Sequence, residues 1–226
     1  MTSPRPAAVL WDMDGTLVDT EPYWMAAETS LVESFGGTWT TDQALHLVGF
    51  GLDDAARVLQ AAGVAMAVPE IVAFLTDEVM RQLREQGVPF RPGAQELLRG
   101  LRDSGIPTAL VTMSMSRMAR EVVDLIDFPA FDLVIGGDDV ERPKPFPDPY
   151  LQACSLLGVA PGETVALEDS PNGARSAVAA GTVTVGVPHM LPLTDIGAYA
   201  LWPTLEGRTA DDIVAVYAAA VSEVRA

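Results

Sequence analysis

Short apolar runs alternate along the chain with longer segments in which apolar residues recur every three or four positions. The short runs are typical of buried strands, and the longer period is typical of helices with one apolar face. The predicted strands are residues 7–11, 108–112, 133–135, 164–167 and 182–187. Strands that alternate with helices in this way predict an α/β fold with a doubly wound parallel sheet.

One long segment interrupts this alternation. After the first strand roughly seventy residues pass before the next, far more than an ordinary connection needs. This segment shows helical patterns at residues 24–35, 43–48, 53–62 and 69–86 and no convincing strand. We therefore expect a core formed by residues 1–18 and 88–226 and a small helical bundle formed by residues 19–87, called the helical insert below. The return segment 88–93 contains Pro89 and Pro92 and predicts a hinged lid.

Charge excludes two classes of partner. The chain has 14 basic and 31 acidic side chains, a formal net charge of −17. Such a field repels nucleic-acid phosphates and anionic lipid, and neither the helical insert nor the rest of the chain is basic, so we expect no nucleic-acid and no membrane partner. The charge-free stretch 176–194 is interrupted by glycine and proline, which predicts a helix end, a strand and a loop. The apolar run before Asp12 is too short for a secretion signal, which favours a cytoplasmic protein.

The first candidate for chemistry is the segment 12–16, where Asp12 and Asp14 follow the first predicted strand. A calcium loop of the EF-hand type needs a glutamate at its twelfth position, and this chain has Tyr23 there. The metal-binding Asp-x-Asp pair of a nucleotide-sugar transferase and a plain strand-end turn are both compatible with this segment alone.

Polar side chains also follow other strands. Thr112 ends the second predicted strand, and Ser114 lies just beyond it. Lys144 is held between two prolines after the third strand and is the only lysine among the 14 basic residues. A solvated surface lysine is the usual alternative, but the use of arginine at all 13 other basic positions favours a function for Lys144.

The fourth predicted strand is followed by two adjacent acids, Glu168 and Asp169. Ligands of open α/β sheets bind beyond the carboxyl ends of the strands, so these acids should lie near Asp12. Neighbouring carboxylates repel each other unless a cation lies between them. An oxygen-rich site of this kind suits Mg²⁺.

Taken together, these residues resemble the four motifs of the haloacid dehalogenase superfamily in order and spacing. The motifs are Asp-x-Asp-Gly-Thr at residues 12–16, the strand-end Thr112, Lys144, and the pair Glu168-Asp169. The chain resembles in particular the subgroup with a helical cap, which includes β-phosphoglucomutase and phosphoglycolate-phosphatase-like enzymes. The segment 19–22, which leads into the helical insert, matches this subgroup as well.

The resemblance implies a Rossmann-like core, a cap formed by the helical insert, Mg²⁺ as cofactor and a small phosphorylated substrate. It implies that Asp12 is the nucleophile that forms an aspartyl phosphate and that Asp14 is the acid and base. Thr112 and Lys144 would stabilise the transferred phosphoryl group. Thr16 would contact phosphate or orient Asp14, or alternatively pack without a further role, and Ser114 would contact phosphate. The implied metal ligands are Asp12, Asp14, Glu168 and Asp169.

Departures from the family patterns narrow the reaction. Phosphonoacetaldehyde-cleaving relatives form a Schiff base with a lysine of the cap, and the helical insert of this chain has no lysine. Haloacid-cleaving relatives lack the second acid of the first motif, whereas this chain has Asp14. β-Phosphoglucomutase-like enzymes have a histidine at the position of Trp24. At the position of Leu52 they have an arginine that binds a second phosphate of the sugar. A phosphatase is therefore the leading hypothesis. A sugar-phosphate mutase and a binding protein without catalysis are the alternatives.

Trp24, Phe50 and Leu52 predict an apolar inner surface of the lid, which favours a leaving group with a flat or apolar face. The alternative is that these side chains form the core of the helical bundle itself. The sequence leaves the oligomeric state open, and a monomer is compatible with it.

Overall fold

A computed structural model of the protein describes residues 4–224. Its centre is a sheet of parallel strands in the order β3-β2-β1-β4-β5-β6. The predicted α/β class and doubly wound parallel sheet are confirmed. The strands are β1 (Ala8–Trp11), β2 (Thr108–Val111), β3 (Leu133–Ile135), β4 (Thr164–Glu168), β5 (Val183–Gly186) and β6 (Ala200–Leu201).

Helices cover both faces of the sheet because alternate strand residues point to opposite sides. Val9 and Trp11 pack on the side of α5 (Ala94–Asp103), α6 (Ser116–Asp124) and α9 (Ala210–Val224). Ala8 and Leu10 pack against α7 (Asp148–Leu157) and α8 (Pro171–Ala180). The central strands are thus buried on both faces, which explains why their sequences are continuous apolar runs.

The helical insert contains α1 (Glu21–Ser34), α2 (Thr41–Leu47), α3 (Leu52–Ala61) and α4 (Val68–Gln86). Local sequence fixes where some of these helices begin. Pro22 lies in the first turn of α1, where its missing N–H costs no hydrogen bond. At α2 the Thr40 hydroxyl accepts the Gln43 N–H at 3.3 Å, while the Gln43 side chain accepts the Thr40 N–H at 2.9 Å. This capping box satisfies two donors that would otherwise have no partner.

Two linkers join the helical insert to the sheet, and they run side by side. Val18 and Phe90 form an antiparallel bridge. The Asp19 N–H donates to the Pro89 carbonyl at 2.7 Å, and the Arg91 N–H donates to the Leu17 carbonyl at 2.9 Å. The chain therefore leaves and re-enters the core at one place.

The sequence missed one strand. β6 has only two residues, Ala200 and Leu201, and pairs with β5 at the edge of the sheet, so it leaves too short an apolar run to recognise. The charge-free stretch 176–194 contains the end of α8, strand β5 and a loop, as predicted. Across residues 4–224, the structure has no helix that is both long and apolar enough to cross a membrane.

Candidate active site

The carboxyl ends of three strands meet because β1 pairs with β2 on one side and with β4 on the other. Asp12 follows β1, Thr112 follows β2, and Glu168 is the last residue of β4. The strand order reverses here, at the point where open α/β sheets bind ligands. The structure therefore brings together the polar residues that the sequence placed at separate strand ends.

Lys144 holds these three strand ends together. Its Nζ donates to Asp12 Oδ1 at 2.7 Å, to Glu168 Oε1 at 2.6 Å and to the Val111 carbonyl at 2.8 Å, which uses all three ammonium hydrogens. Burial alone would lower the pKa of Lys144, but the charges of Asp12 and Glu168 outweigh burial and raise it. The ammonium group therefore stays charged at neutral pH, although the side chain is buried.

Three buried acids surround this ammonium group. Carboxylate oxygens of Asp12, Glu168 and Asp169 lie within 4.8 Å of one another. Burial and the charge of Glu168 raise the pKa of Asp12 to about 7, against the lowering effect of Lys144. Burial and the charge of Asp12 also raise the pKa of Asp169 well above its usual range. The cluster therefore has more negative charge than one ammonium group can offset.

Two glycines make the close packing of these acids possible. Gly15 has φ +86°, and a Cβ on it would lie 2.1 Å from Asp169 Oδ2. A Cβ on Gly173, in α8, would lie 2.0 Å from Glu168 Oε2. Glu168 is fully buried, and Tyr150 donates to its Oε1 at 2.6 Å. Any side chain at Gly15 or Gly173 would displace an acid of the cluster.

Asp14 lies beside the cluster and is held by hydroxyl and indole donors. Thr112 and Ser114 donate to its Oδ2 at 3.2 and 2.6 Å. Thr20 donates to its Oδ1, and the Trp24 indole N–H donates to the same oxygen at 3.2 Å. The Asp14 carboxylate is not part of the cluster formed by Asp12, Glu168 and Asp169, and the expectation that Asp14 is a metal ligand stays a prediction.

Of the alternatives left open for Thr16, packing agrees best with its position in the structure. Its hydroxyl donates to Asp169 Oδ1 at 3.3 Å and does not orient Asp14. The side chain is fully buried and is not among those that line the cavity next to Asp12, so it does not reach a phosphate bound there. The turn at Gly15 directs Thr16 back towards β4, which makes Thr16 a positioning residue for Asp169.

A cavity of about 90 Å³ lies between the helical insert and this edge of the sheet. Trp24, Phe50 and Leu52 line it. Two acids that the sequence analysis had not selected, Glu21 and Glu28 of α1, line it as well. The inner surface is therefore mixed rather than apolar.

Comparison with known proteins identifies the family. Residues 9–187 match the model of the haloacid dehalogenase-like hydrolases. The chain belongs to this family. The match includes the whole helical insert, the three strand ends of the site and Lys144, so it extends over both the insert and the sheet.

Relatives within the hydrolase family include phosphatases. The phosphorylated carbohydrates phosphatase of Thermotoga maritima is 32% identical over 86% of this chain and 93% of that protein. Hexitol phosphatase A of Escherichia coli is 33% identical over 81% of this chain and 83% of that protein. Among solved structures, CbbY from Rhodobacter sphaeroides in complex with xylulose-(1,5)bisphosphate is 27% identical, with a TM-score of 0.80, and the match covers 89% of this chain and 96% of CbbY.

The family implies a divalent metal, and the acidic cluster of this hydrolase fits one. Asp12, Glu168 and Asp169 offer hard carboxylate oxygens, which Mg²⁺ prefers. Glu168 Oε2 is buried and has no hydrogen-bond partner among the described residues. Burial and neighbouring acids raise the pKa values of Asp12 and Asp169, and a divalent cation would favour the ionised carboxylates against both effects.

Sequence reasoning missed several residues that support this hydrolase site. Tyr150 of α7 is one of them, because its hydroxyl donates to Glu168 Oε1. Thr20 and Glu21 lie in the segment 19–22 at the start of the helical insert. The resemblance of that segment to the subgroup with a helical cap was the signal that could have found them. Glu28 carried no such signal because it lies within an ordinary amphipathic pattern.

Proposed function

We propose that this hydrolase is a Mg²⁺-dependent phosphomonoester phosphatase that acts on a small phosphorylated metabolite through an aspartyl phosphate. The arrangement of Asp12 carries the proposal. Lys144 holds Asp12 Oδ1 at 2.7 Å, whereas Oδ2 accepts no hydrogen bond from any described residue. Asp12 also lines the cavity. A carboxylate fixed through one oxygen can present the other as a nucleophile.

In the first step Asp12 Oδ2 attacks phosphorus, forming a bond to it while the bond from phosphorus to the leaving oxygen breaks. Asp14 gives its proton to that leaving oxygen. Thr112 and Ser114, which contact Asp14 Oδ2, have hydroxyl groups on the side of the cavity where the phosphoryl oxygens must lie. These hydroxyls and Lys144 offset charge on the transferred group.

In the second step Asp14 takes a proton from water, the water oxygen bonds to phosphorus, and the bond from phosphorus to Asp12 breaks. The donors around Asp14 fix its orientation through both steps. Two of them, Thr20 and Trp24, come from the linker and the first helix of the insert. The orientation of the Asp14 carboxyl group, and with it proton transfer, therefore depends on where the helical insert places Thr20 and Trp24.

Asp12, Glu168 and Asp169 would hold Mg²⁺, which supplies positive charge for the phosphoryl oxygens. We further propose that residues 19–87 form a separate cap domain and that residues 1–18 and 88–226 form the catalytic core. The paired linkers at Val18 and Phe90 support a hinge there. A cytoplasmic location, taken from the sequence, stays a prediction.

The mutase alternative requires a group that binds a second phosphate. Within the part of the chain that the structure describes, Lys144 is the only basic side chain that lines the cavity, and its three hydrogens are used. Leu52 occupies the position where a mutase-like arginine was expected, and it does line the cavity. These observations favour hydrolysis over transfer between two phosphorylated positions.

Phosphate release tests the proposal. The wild-type protein, assayed with a panel of phosphorylated sugars, sugar alcohols and p-nitrophenyl phosphate, should release phosphate with Mg²⁺ and stop when EDTA is added. Acid quenching during turnover, followed by peptide mass spectrometry, should place a phosphoryl group on Asp12. The matched control is Asp103→Asn, an exposed acid at the end of α5.

Asp12→Asn should abolish phosphate release while the protein melts as a folded molecule, whereas Asp103→Asn should resemble wild type. Transfer of phosphate from a hexose bisphosphate to an isomeric monophosphate would favour the mutase. Phosphate release that survives in Asp12→Asn would refute the covalent mechanism, and no phosphate release from any ester would leave only the binding protein.

A further inference from the structure

Helix α1 presents an unusual face to the active-site cavity. Glu21, Trp24, Met25 and Glu28 all line the cavity. Their spacing of three, four and seven residues puts them on one stripe of a helix. The two acids are two turns apart, about 10 Å along the helix axis. Buried stripes of this kind are usually apolar throughout, so these two carboxylates require an explanation.

Both carboxylates lack the cations that normally accompany buried acids. Glu21 is 9% exposed and makes no side-chain hydrogen bond with any described residue. Glu28 is 6% exposed, and its Oε2 accepts the Trp39 indole N–H at 3.1 Å. No described residue donates to Glu28 Oε1. Acids buried without partners are costly, and a ligand in the cavity that donates hydrogen bonds to them would reduce this cost.

We propose that Glu21 and Glu28 bind hydroxyl groups of the leaving group, so that the enzyme prefers phosphate monoesters of neutral polyhydroxylated alcohols. The inference rests on the proposed phosphatase function and adds the substrate class. The carboxyl groups of Glu21 and Glu28, two turns apart on α1, could accept hydrogen bonds from hydroxyl groups at different positions of one carbon chain. Trp24 and Met25, between the acids, offer apolar surface to the carbon atoms of that chain.

The acidic lining from Glu21 and Glu28 disfavours other leaving groups. Burial and the charge of Asp14 raise the pKa of Glu21 to about 8, so a further anion beside it would meet a group that already resists ionisation. Among the described residues that line the cavity, the one basic side chain is Lys144, and its three hydrogens are used, so a second phosphate or a carboxylate would find no cation there. A single ammonium group could satisfy one of the two acids but not both. Burial raises the pKa of Glu28 to about 7, so near neutral pH its carboxyl can accept from one hydroxyl or donate to another. A neutral polyol suits both forms.

The test compares Glu28→Gln with Glu33→Gln, which removes the same charge from the exposed face of α1. The substrates are glucitol 6-phosphate, p-nitrophenyl phosphate and phosphoethanolamine, assayed with Mg²⁺. In Glu28→Gln the ratio of kcat/KM for glucitol 6-phosphate to that for p-nitrophenyl phosphate should fall about 10- to 100-fold, the value of a hydrogen bond to a charged group. The loss should appear mainly in KM. Glu33→Gln should keep the wild-type ratio.

A second measurement needs no variant. Wild-type kcat/KM should fall when single hydroxyl groups of glucitol 6-phosphate are replaced by hydrogen, and at least one of these losses should shrink in Glu28→Gln.

An equal loss on glucitol 6-phosphate and p-nitrophenyl phosphate would show a structural role for Glu28 and overturn the inference. An unchanged ratio, or wild-type preference for phosphoethanolamine, would overturn it too. In all these outcomes hydrolysis of p-nitrophenyl phosphate keeps the phosphatase proposal intact. If wild type hydrolyses no ester, both proposals fall.

Discussion

Glu28→Gln should stabilise the protein at alkaline pH and much less at acidic pH. Glutamine keeps an oxygen that can accept the Trp39 indole N–H, so the substitution removes the charge with little change in shape. At alkaline pH the wild-type Glu28 carboxyl ionises while it is buried in the helical insert, and burial makes this ionisation unfavourable. The variant has no proton to lose at this position.

The structure gives the size of the effect. Burial raises the pKa of Glu28 from 4.5 to about 7, against the lowering effect of the Trp39 hydrogen bond. Between these two values the folded state binds more protons than the unfolded state, so the free energy of unfolding falls as pH rises through this range. At roughly 1.4 kcal/mol per pH unit the full cost of the charge is about 3 kcal/mol, with most of it present above about pH 7. Near pH 5 the cost is about 1 kcal/mol.

Urea unfolding followed by far-UV circular dichroism at about pH 5 and about pH 8, at equal ionic strength, measures this difference. The stability gain of Glu28→Gln over wild type should be larger at the higher pH by about 2 kcal/mol. Glu33→Gln, exposed on the same helix, should change stability by less than about 0.5 kcal/mol at either pH. A gain that is independent of pH, or larger at low pH, would refute the argument that Glu28 is buried as a costly charge.

Three further substitutions test other parts of the site. Lys144→Arg should lower kcat by about 10²-fold or more, because a planar guanidinium group cannot donate to three acceptors that surround a single nitrogen. Near-normal phosphate release would show that the ammonium group is dispensable. Gly173→Ala should displace Glu168 and reduce both activity and melting temperature. The control is Gly100→Ala, at a helical glycine with open space around it, which should stabilise the protein by up to about 1 kcal/mol. Equal behaviour of the two variants would contradict the close contact at Gly173. Leu52→Arg should raise kcat/KM for a hexose bisphosphate relative to an aryl phosphate, and an unchanged ratio in the folded variant would show that Leu52 does not contact the leaving group.

The sheet and the strand-end residues could be predicted because each depends on local sequence and on one topological rule. Apolar runs marked β1, β2 and β4, and parallel strands bring their carboxyl ends to one edge. Asp12, Thr112 and Lys144 therefore converge in the structure although they are far apart in sequence. β6 could not be predicted, since a two-residue edge strand leaves no periodic signal.

The orientation of individual side chains could not be predicted. Asp14 and Thr16 lie in the same recognised motif, yet their partners come from distant segments such as Ser114 and Asp169. Long-range hydrogen bonds of this kind leave no mark in the local pattern. Glu28 was missed for a related reason, because an acid on a helix is ordinarily solvated and only the three-dimensional packing around α1 reveals that it is buried.

The side-by-side linkers also bear on how the chain folds. Val9 pairs with Thr108 in the sheet, so the whole helical insert lies in the loop that this pairing must close. Closing so long a flexible loop costs about 4 kcal/mol of chain entropy. An insert that folds first through its local helical contacts, and joins Val18 to Phe90, cuts the flexible chain to about a quarter and lowers that cost by about 1 kcal/mol. Substitutions that weaken the helical insert should therefore slow the assembly of a sheet that they do not touch.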